Sequence, residues 1–170
     1  MPKKLASKPK SNSRRFWLLK SEPDVFSIDD LATSPRQTTY WDGVRNYQAR
    51  NTLRDDMKIG DQVLFYHSNS KPPGIAGVAE VVREGYPDFT AWDEDDPHFD
   101  PKSDKNNPTW MMVDIKLIEK FPRELGLPQL REMPELADMV LLRRGSRLSV
   151  QPVTPQEFEA VLTAAHANKE

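Results

Sequence analysis

Fifteen prolines stand in this chain of 170 residues, and they sit at the ends of its apolar segments. Proline removes a backbone donor and fixes φ, so it stops helices and is kept out of central strand positions. The chain is therefore expected to fold as short elements joined by defined turns. Its length suits one domain with a full core and is short for two. It has no cysteine, which excludes disulfides and thiolate metal sites and suits a reducing compartment. No apolar run is long enough to cross a bilayer, and the N-terminus lacks an apolar signal core, so neither a membrane span nor secretion is expected.

The net charge of −2 is unevenly spread: residues 1–15 carry four lysines and two arginines with no acid, which leaves −8 on the remaining 155 residues. An acidic body argues against sequence-blind binding of duplex phosphates, which needs many basic contacts. Residues 1–15 are expected to be a disordered basic tail, either a solvated leader or a nonspecific phosphate-binding arm. Residues 16–166 are expected to form a single domain, with 167–170 as its C-terminal end.

Arg15-Phe16-Trp17-Leu18-Leu19-Lys20 reads as a buried first strand ended by Pro23. Ser27 caps a short helix, with Asp30 in the capping-box position. Asn46 to Met57 reads as a helix. Ala49, Leu53 and Met57 make its apolar stripe, Asn46, Arg50 and Arg54 the stripe beside it, and Gly60 closes it. Gln62–Ser68 and Ile75–Arg83 read as a hairpin, with Gly77 marking a bulge or a close backbone approach. Residues 86–108 read as a long loop with a helical turn near 89–92. Trp110–Ile118 alternates like a half-buried strand, Leu125–Leu142 reads as helical pieces broken by proline, and Arg147–Pro152 is a last strand. Thr154-Pro155-Gln156-Glu157 is a full helix start. The order is an α+β pattern with a curled or barrel-like sheet.

The stretch Thr39-Tyr40-Trp41-Asp42-Gly43-Val44-Arg45-Asn46-Tyr47-Gln48-Ala49-Arg50-Asn51 sets rings beside amide and guanidinium groups. That is the equipment for holding a planar, hydrogen-bonding ligand such as a base. Trp41 reads either as a pocket wall or as core, whereas Trp17 and Trp110 read as core. Several strand ends add small polar groups: Ser21 and Glu22, then Tyr66, His67 and Ser68, then Ser149 and Gln151. For catalysis the chain offers little. Ser68 and His67 are strand neighbours and point to opposite faces, and no nucleophile elbow, P-loop or dinucleotide fingerprint is present. The acidic run Asp93–Asp100 lacks the central glycine of an EF-hand and reads as a solvated loop. No catalytic set, metal site or cofactor is implied. The alternative to a binding module is an enzyme acting on a nucleotide or small molecule, with His67 as acid or base.

Five ordered motifs, spanning about Phe16 to Leu162, carry a resemblance: Trp17-Leu18-Leu19-Lys20-Ser21-Glu22-Pro23, Trp41 to Asn51, Phe65-Tyr66-His67-Ser68-Asn69, Pro73-Gly74-Ile75-Ala76-Gly77 and Arg147 to Thr154. Together they resemble an EVE domain of the PUA-like superfamily and, within it, the thymocyte nuclear protein group with its bacterial relatives. The resemblance implies a PUA-like small curled β-barrel with flanking helices. It also implies a noncatalytic module that binds a modified nucleobase, notably a modified cytosine, in DNA or RNA. Carried over to this sequence, it implies a ligand site of Lys20, Ser21, Glu22, Trp41, Val44, Asn46, Tyr47, Tyr66, His67, Ser68, Ser149 and Gln151. Arg45, Arg50 and Arg54 are expected on flanking phosphates. On this reading Trp41→Ala or Asn46→Ala lowers affinity while the fold persists. The short tail, without multiple basic clusters, favours a bacterial and hence cytoplasmic protein; a eukaryotic source implies the nucleus.

Overall fold

The computed structural model describes residues 14–167. Its frame is a six-stranded mixed sheet: β1 (Phe16–Ser21), β2 (Thr38–Tyr40), β3 (Gln62–His67), β4 (Gly74–Pro87), β5 (Met111–Gly126) and β6 (Val150–Val153), in the order β2-β5-β4-β3-β1-β6. Only the β1–β3 pair is parallel. The sheet is bent by repeated register shifts along β4 and β5 but does not close, so the barrel expected from the sequence is an open sheet with β2 and β6 as its edges.

Alternation along the strands sends side chains to two cores. Trp17, Leu19, Val63 and Phe65 point to one face, where they meet Ile28 and Leu31 of α1 (Ile28–Thr33) and Ala49 of α2 (Tyr47–Asn51). Leu18, Leu64 and Tyr66 point to the other face. There α3 (Leu127–Arg131) and α4 (Pro155–Ala167) supply Leu130, Phe158, Val161 and Ala165. A sheet buried on both faces reads as continuous apolar runs, as β1 and β3 do.

Local signals place the flanking elements. Ser27 and Asp30 form the capping box that starts α1, and Thr154 and Glu157 exchange the same pair of bonds ahead of α4. The helix expected over 46–57 is α-helical only to Asn51. The next five residues form a wider π-turn, in which the Met57 N–H reaches the Thr52 carbonyl at 3.1 Å. Leu53 and Met57 are fully buried all the same, so the apolar stripe survives the widening. Gly77 sits at a bulge in the β3–β4 ladder, where a Cβ would lie 2.3 Å from the Glu119 carbonyl.

Two boundaries differ from expectation. β4 continues to Pro87 and pairs there with Met111, which shortens the long loop. β5 runs on to Gly126 despite Pro122, because the ladder skips from Lys120 to Leu125 and leaves the proline where no partner needs its N–H. Of the expected basic tail, residues 1–13 lie outside the described residues, as do 168–170 at the other end.

Candidate functional site

A cavity of about 620 Å³ opens where the end of β1 meets the loop between β2 and α2. Its wall comes from four pieces of chain: Lys20–Glu22 with Val25 and Phe26, Thr39–Arg45, Asp96–His98, and Ser149.

Trp41 settles as wall and core at once. It is 7% exposed, meets Phe26 and Phe65 edge-on at 6.4 and 5.4 Å between ring centroids, and lines the cavity. Its N–H donates to the Val113 carbonyl at 2.8 Å, which extends the β2–β5 pairing by one residue. The expectation that Trp41→Ala leaves the fold intact therefore has to be corrected: truncating a buried aromatic costs about 3–5 kcal/mol.

The loop after Trp41 is held by a residue that sequence reasoning did not single out. Asp88 is 1% exposed. One carboxylate oxygen accepts from the Gly43 N–H and from Arg45 Nη1, both at 2.9 Å; the other accepts from the N–H and hydroxyl of Thr90 at 2.9 and 2.5 Å. Burial pushes this carboxyl up, but the bonds from Thr90, Gly43 and Arg45 outweigh it and hold it below the ordinary aspartate value. Arg45 then reaches the His98 carbonyl with Nη2 at 2.7 Å and ties the acidic loop to the cavity wall. Gly43 is required twice over. Its φ is +83°, and a Cβ there would lie 2.6 Å from the His98 ring.

His98 Nδ1 approaches Asp42 Oδ2 at 3.2 Å and Asp96 Oδ1 at 3.3 Å. These three residues offer one ligand atom each within 4.8 Å of one another, the donor types a divalent cation takes. A hydrogen bond between the imidazole and Asp42 at 3.2 Å, and one from the His98 backbone N–H to Asp96 Oδ1 at 2.8 Å, account for the same approach. Burial raises the Asp42 carboxyl, with Asp88 adding to it and His98 opposing. Burial also raises the Tyr40 hydroxyl, reinforced by Asp42, Asp96 and Asp88, and it lowers the Lys20 ammonium.

The structure gathers six of the sequence-predicted ligand residues at this cavity: Lys20, Ser21, Glu22, Trp41, Val44 and Ser149. The others serve elsewhere. Tyr66 lies in the opposite core and carries Lys20, whose Nζ sits 5.8 Å from its ring centroid. His67 is buried and has both ring nitrogens engaged: Nε2 accepts from the Ile28 N–H at 3.1 Å, so Nδ1 carries the proton toward Glu124 at 2.7 Å. That occupation removes the acid or base on which the enzyme alternative depended. Ser68 continues the β1–β3 ladder through its N–H to the Ser21 carbonyl at 2.9 Å. Gln151 is buried and donates to Ser146 Oγ and the Leu148 carbonyl, fastening the turn that delivers Ser149. The Asn46 side chain caps α2 by accepting from the Ala49 N–H at 2.9 Å. Tyr47 is exposed and stacks on Trp110 at 5.0 Å.

The three expected phosphate contacts are also spoken for. Arg45 pairs with Asp88, Arg54 with Asp55, and Arg50 donates to Asn51 Oδ1 and the Thr109 carbonyl. His166 pairs with Glu119 at 2.9 Å.

The family model for the EVE domain matches residues 15–164. This chain belongs to the EVE domain family. Human thymocyte nuclear protein 1 is similar to it at 46% identity over 169 residues, covering 89% of this chain and 74% of the human protein. The solved structure of human THYN1 in complex with 5-methylcytosine containing DNA superposes with a TM-score of 0.84 at 46% identity, covering 92% of this chain and 99% of that one. A Pseudomonas syringae protein superposes equally well, with a TM-score of 0.84 at 45% identity and coverage of 88% and 99%. EVE relatives thus occur in both eukaryotes and bacteria, and the leaning toward a bacterial source has no support. The open α+β sheet is the PUA-like fold of these neighbours.

Proposed function

We propose that this chain is a noncatalytic reader of a modified cytosine in nucleic acid, taking the base into the cavity between Lys20–Glu22 and Trp41–Arg45. One juxtaposition carries the reading. Phe26, Trp41 and Val44 supply apolar wall in the same cavity as the carboxylates of Glu22 and Asp42, in a chain 46% identical to a protein solved with 5-methylcytosine containing DNA.

The chemistry suits cytosine. Its exocyclic amine is a donor that a carboxylate accepts, whereas thymine presents a carbonyl there and would face a carboxylate with an acceptor. Asp42 and Glu22 are the candidates for that contact. Lys20 is a donor for the ring nitrogen or carbonyl of the base, and a 5-methyl group fits against Trp41 or Val44. The Ser21 hydroxyl already donates to the Phe26 carbonyl at 2.6 Å and fixes the wall between them. A base reaches such a cavity only out of its stack, so single-stranded or readily opened substrate binds best.

The test is a titration of short oligonucleotides identical except for one central base, as DNA and as RNA, single- and double-stranded. Burying the methyl group is worth about 0.8 kcal/mol, about fourfold in affinity for 5-methylcytosine over cytosine. Thymine should bind about tenfold or more weaker than 5-methylcytosine. Equal affinity for all three bases would overturn the reading. DNA and RNA arms separate the two polymers directly.

A further inference from the structure

The geometry points to a second groove, beside the cavity, as the track for the strand flanking the bound base, with Arg36 and Lys116 on its phosphates and Tyr40 against the neighbouring base. This inference rests on the proposed reading of the cavity and extends it.

The groove, about 560 Å³, runs along the outer face of edge strand β2 and is continuous with the cavity, because Thr39 and Tyr40 line both. Register explains which side chains meet in it. Thr38 pairs with Lys116 and Tyr40 with Asp114, and residues opposite each other in an antiparallel pair share a face. Ile115, opposite Thr39, points the other way into the core. Thr38 and Tyr40 are about 7 Å apart along the strand, the scale of one nucleotide step.

The charges fit. Arg36 and Lys116 are both exposed and line this groove, and neither forms an ion pair among the described residues. Asp114, the one acid among the described residues that line the groove, accepts a hydrogen bond from the Tyr86 hydroxyl. Arg45 and Arg54, by contrast, already pair with Asp88 and Asp55. Arg36 is set in place by an uncommon backbone: it and Gln37 have φ of +57° and +53°, a conformation that L-residues rarely adopt and that collects at functional sites.

The aromatic groups fit as well. Tyr40 is 44% exposed and Phe89 46% exposed, and their rings meet at 5.0 Å. An exposed aromatic pair beside free cations is the arrangement single-stranded nucleic acid is held by. Asp42 and Asp96 flank the cavity side of Tyr40 and repel phosphate there, which directs the backbone toward Arg36 and Lys116.

Binding of a 5-methylcytosine mononucleotide and of a single-stranded oligonucleotide carrying one central 5-methylcytosine, at low and high salt, tests this. In wild type the oligonucleotide binds more tightly than the mononucleotide. The double variant R36E/K116E, and the milder R36Q/K116Q, should lose that gain while mononucleotide affinity stays the same. Loss of two phosphate contacts should also flatten the salt dependence, so that a fourfold rise in salt weakens the variant about sevenfold less than wild type. Phe89→Ala, outside the cavity, should weaken only the oligonucleotide. Oligonucleotide affinity and salt dependence unchanged in both double variants would overturn the groove alone. Failure of wild type to bind any of these ligands would overturn the cavity reading and the groove with it.

Discussion

Asp88→Asn tests how the cavity wall is held. The change is nearly isosteric, but it turns one carboxylate oxygen into an amide that faces the Gly43 N–H and Arg45 Nη1 donors. A hydrogen bond to a charged group contributes about 1.5–3 kcal/mol, and stripping one side of a buried ion pair costs about 3–5 kcal/mol when the other charge stays buried. Arg45 retains the Val44 and His98 carbonyls, and its side chain is 24% exposed. The lower end therefore applies: about 3 kcal/mol, or about 6–12 °C in Tm for a chain of this size.

The pH dependence has a definite sign. The folded pKa of Asp88 lies below its ordinary value of 3.8, so its contribution is complete above 3.8 and is lost as pH falls through the lower folded value. Urea unfolding of wild type and variant should show a constant gap near neutral pH that narrows in acid below 3.8. A gap under about 1 kcal/mol at neutral pH, or one that persists unchanged in strong acid, would refute the role given to Asp88.

Four further outcomes follow from the same geometry. Trp41→Ala should lose about 3–5 kcal/mol in urea unfolding, while Trp41→Phe should lose much less and isolate the effect on affinity. Gly43→Ala should cost about 1–2 kcal/mol through its left-handed backbone and displace His98, seen as a shift of the His98 ring resonances by NMR. Because burial raises the Asp42 carboxyl, affinity for a cytosine-containing ligand should start to fall, in a pH titration of binding, at a pH above the ordinary 3.8. Arg54→Gln should leave oligonucleotide affinity within about twofold, since Arg54 is an exposed side chain paired with its own neighbour Asp55.

What was legible in the sequence was what is local. Ser27 with Asp30 and Thr154 with Glu157 encode their helix starts within four residues, and Ala49, Leu53 and Met57 encode a buried face by spacing alone. Among the strand-end residues at the cavity, Ser21, Glu22 and Ser149 were legible as polar groups closing apolar runs, whereas Lys20 came only from the family resemblance. Tyr66 and His67 were drawn to one pocket although neighbours on a strand face opposite ways; each is a support, one under Lys20 and one under the start of α1. Asp88 and His98 carried no local signal of their roles, because they act on Gly43 and Arg45 across more than forty residues of chain. Sequence showed the arginines as free cations, since the carboxylate that neutralises Arg45 is supplied by tertiary structure.

The most direct test of the cavity as the reading site is a ¹H–¹⁵N NMR titration of the wild-type chain with a 5-methylcytosine oligonucleotide and its unmodified twin. The largest shifts that distinguish the two should fall on Lys20–Glu22, Trp41–Arg45, His98 and Ser149, with Tyr66 and Gln151 little changed. Modification-dependent shifts that leave Trp41–Arg45 still and map elsewhere would contradict the account.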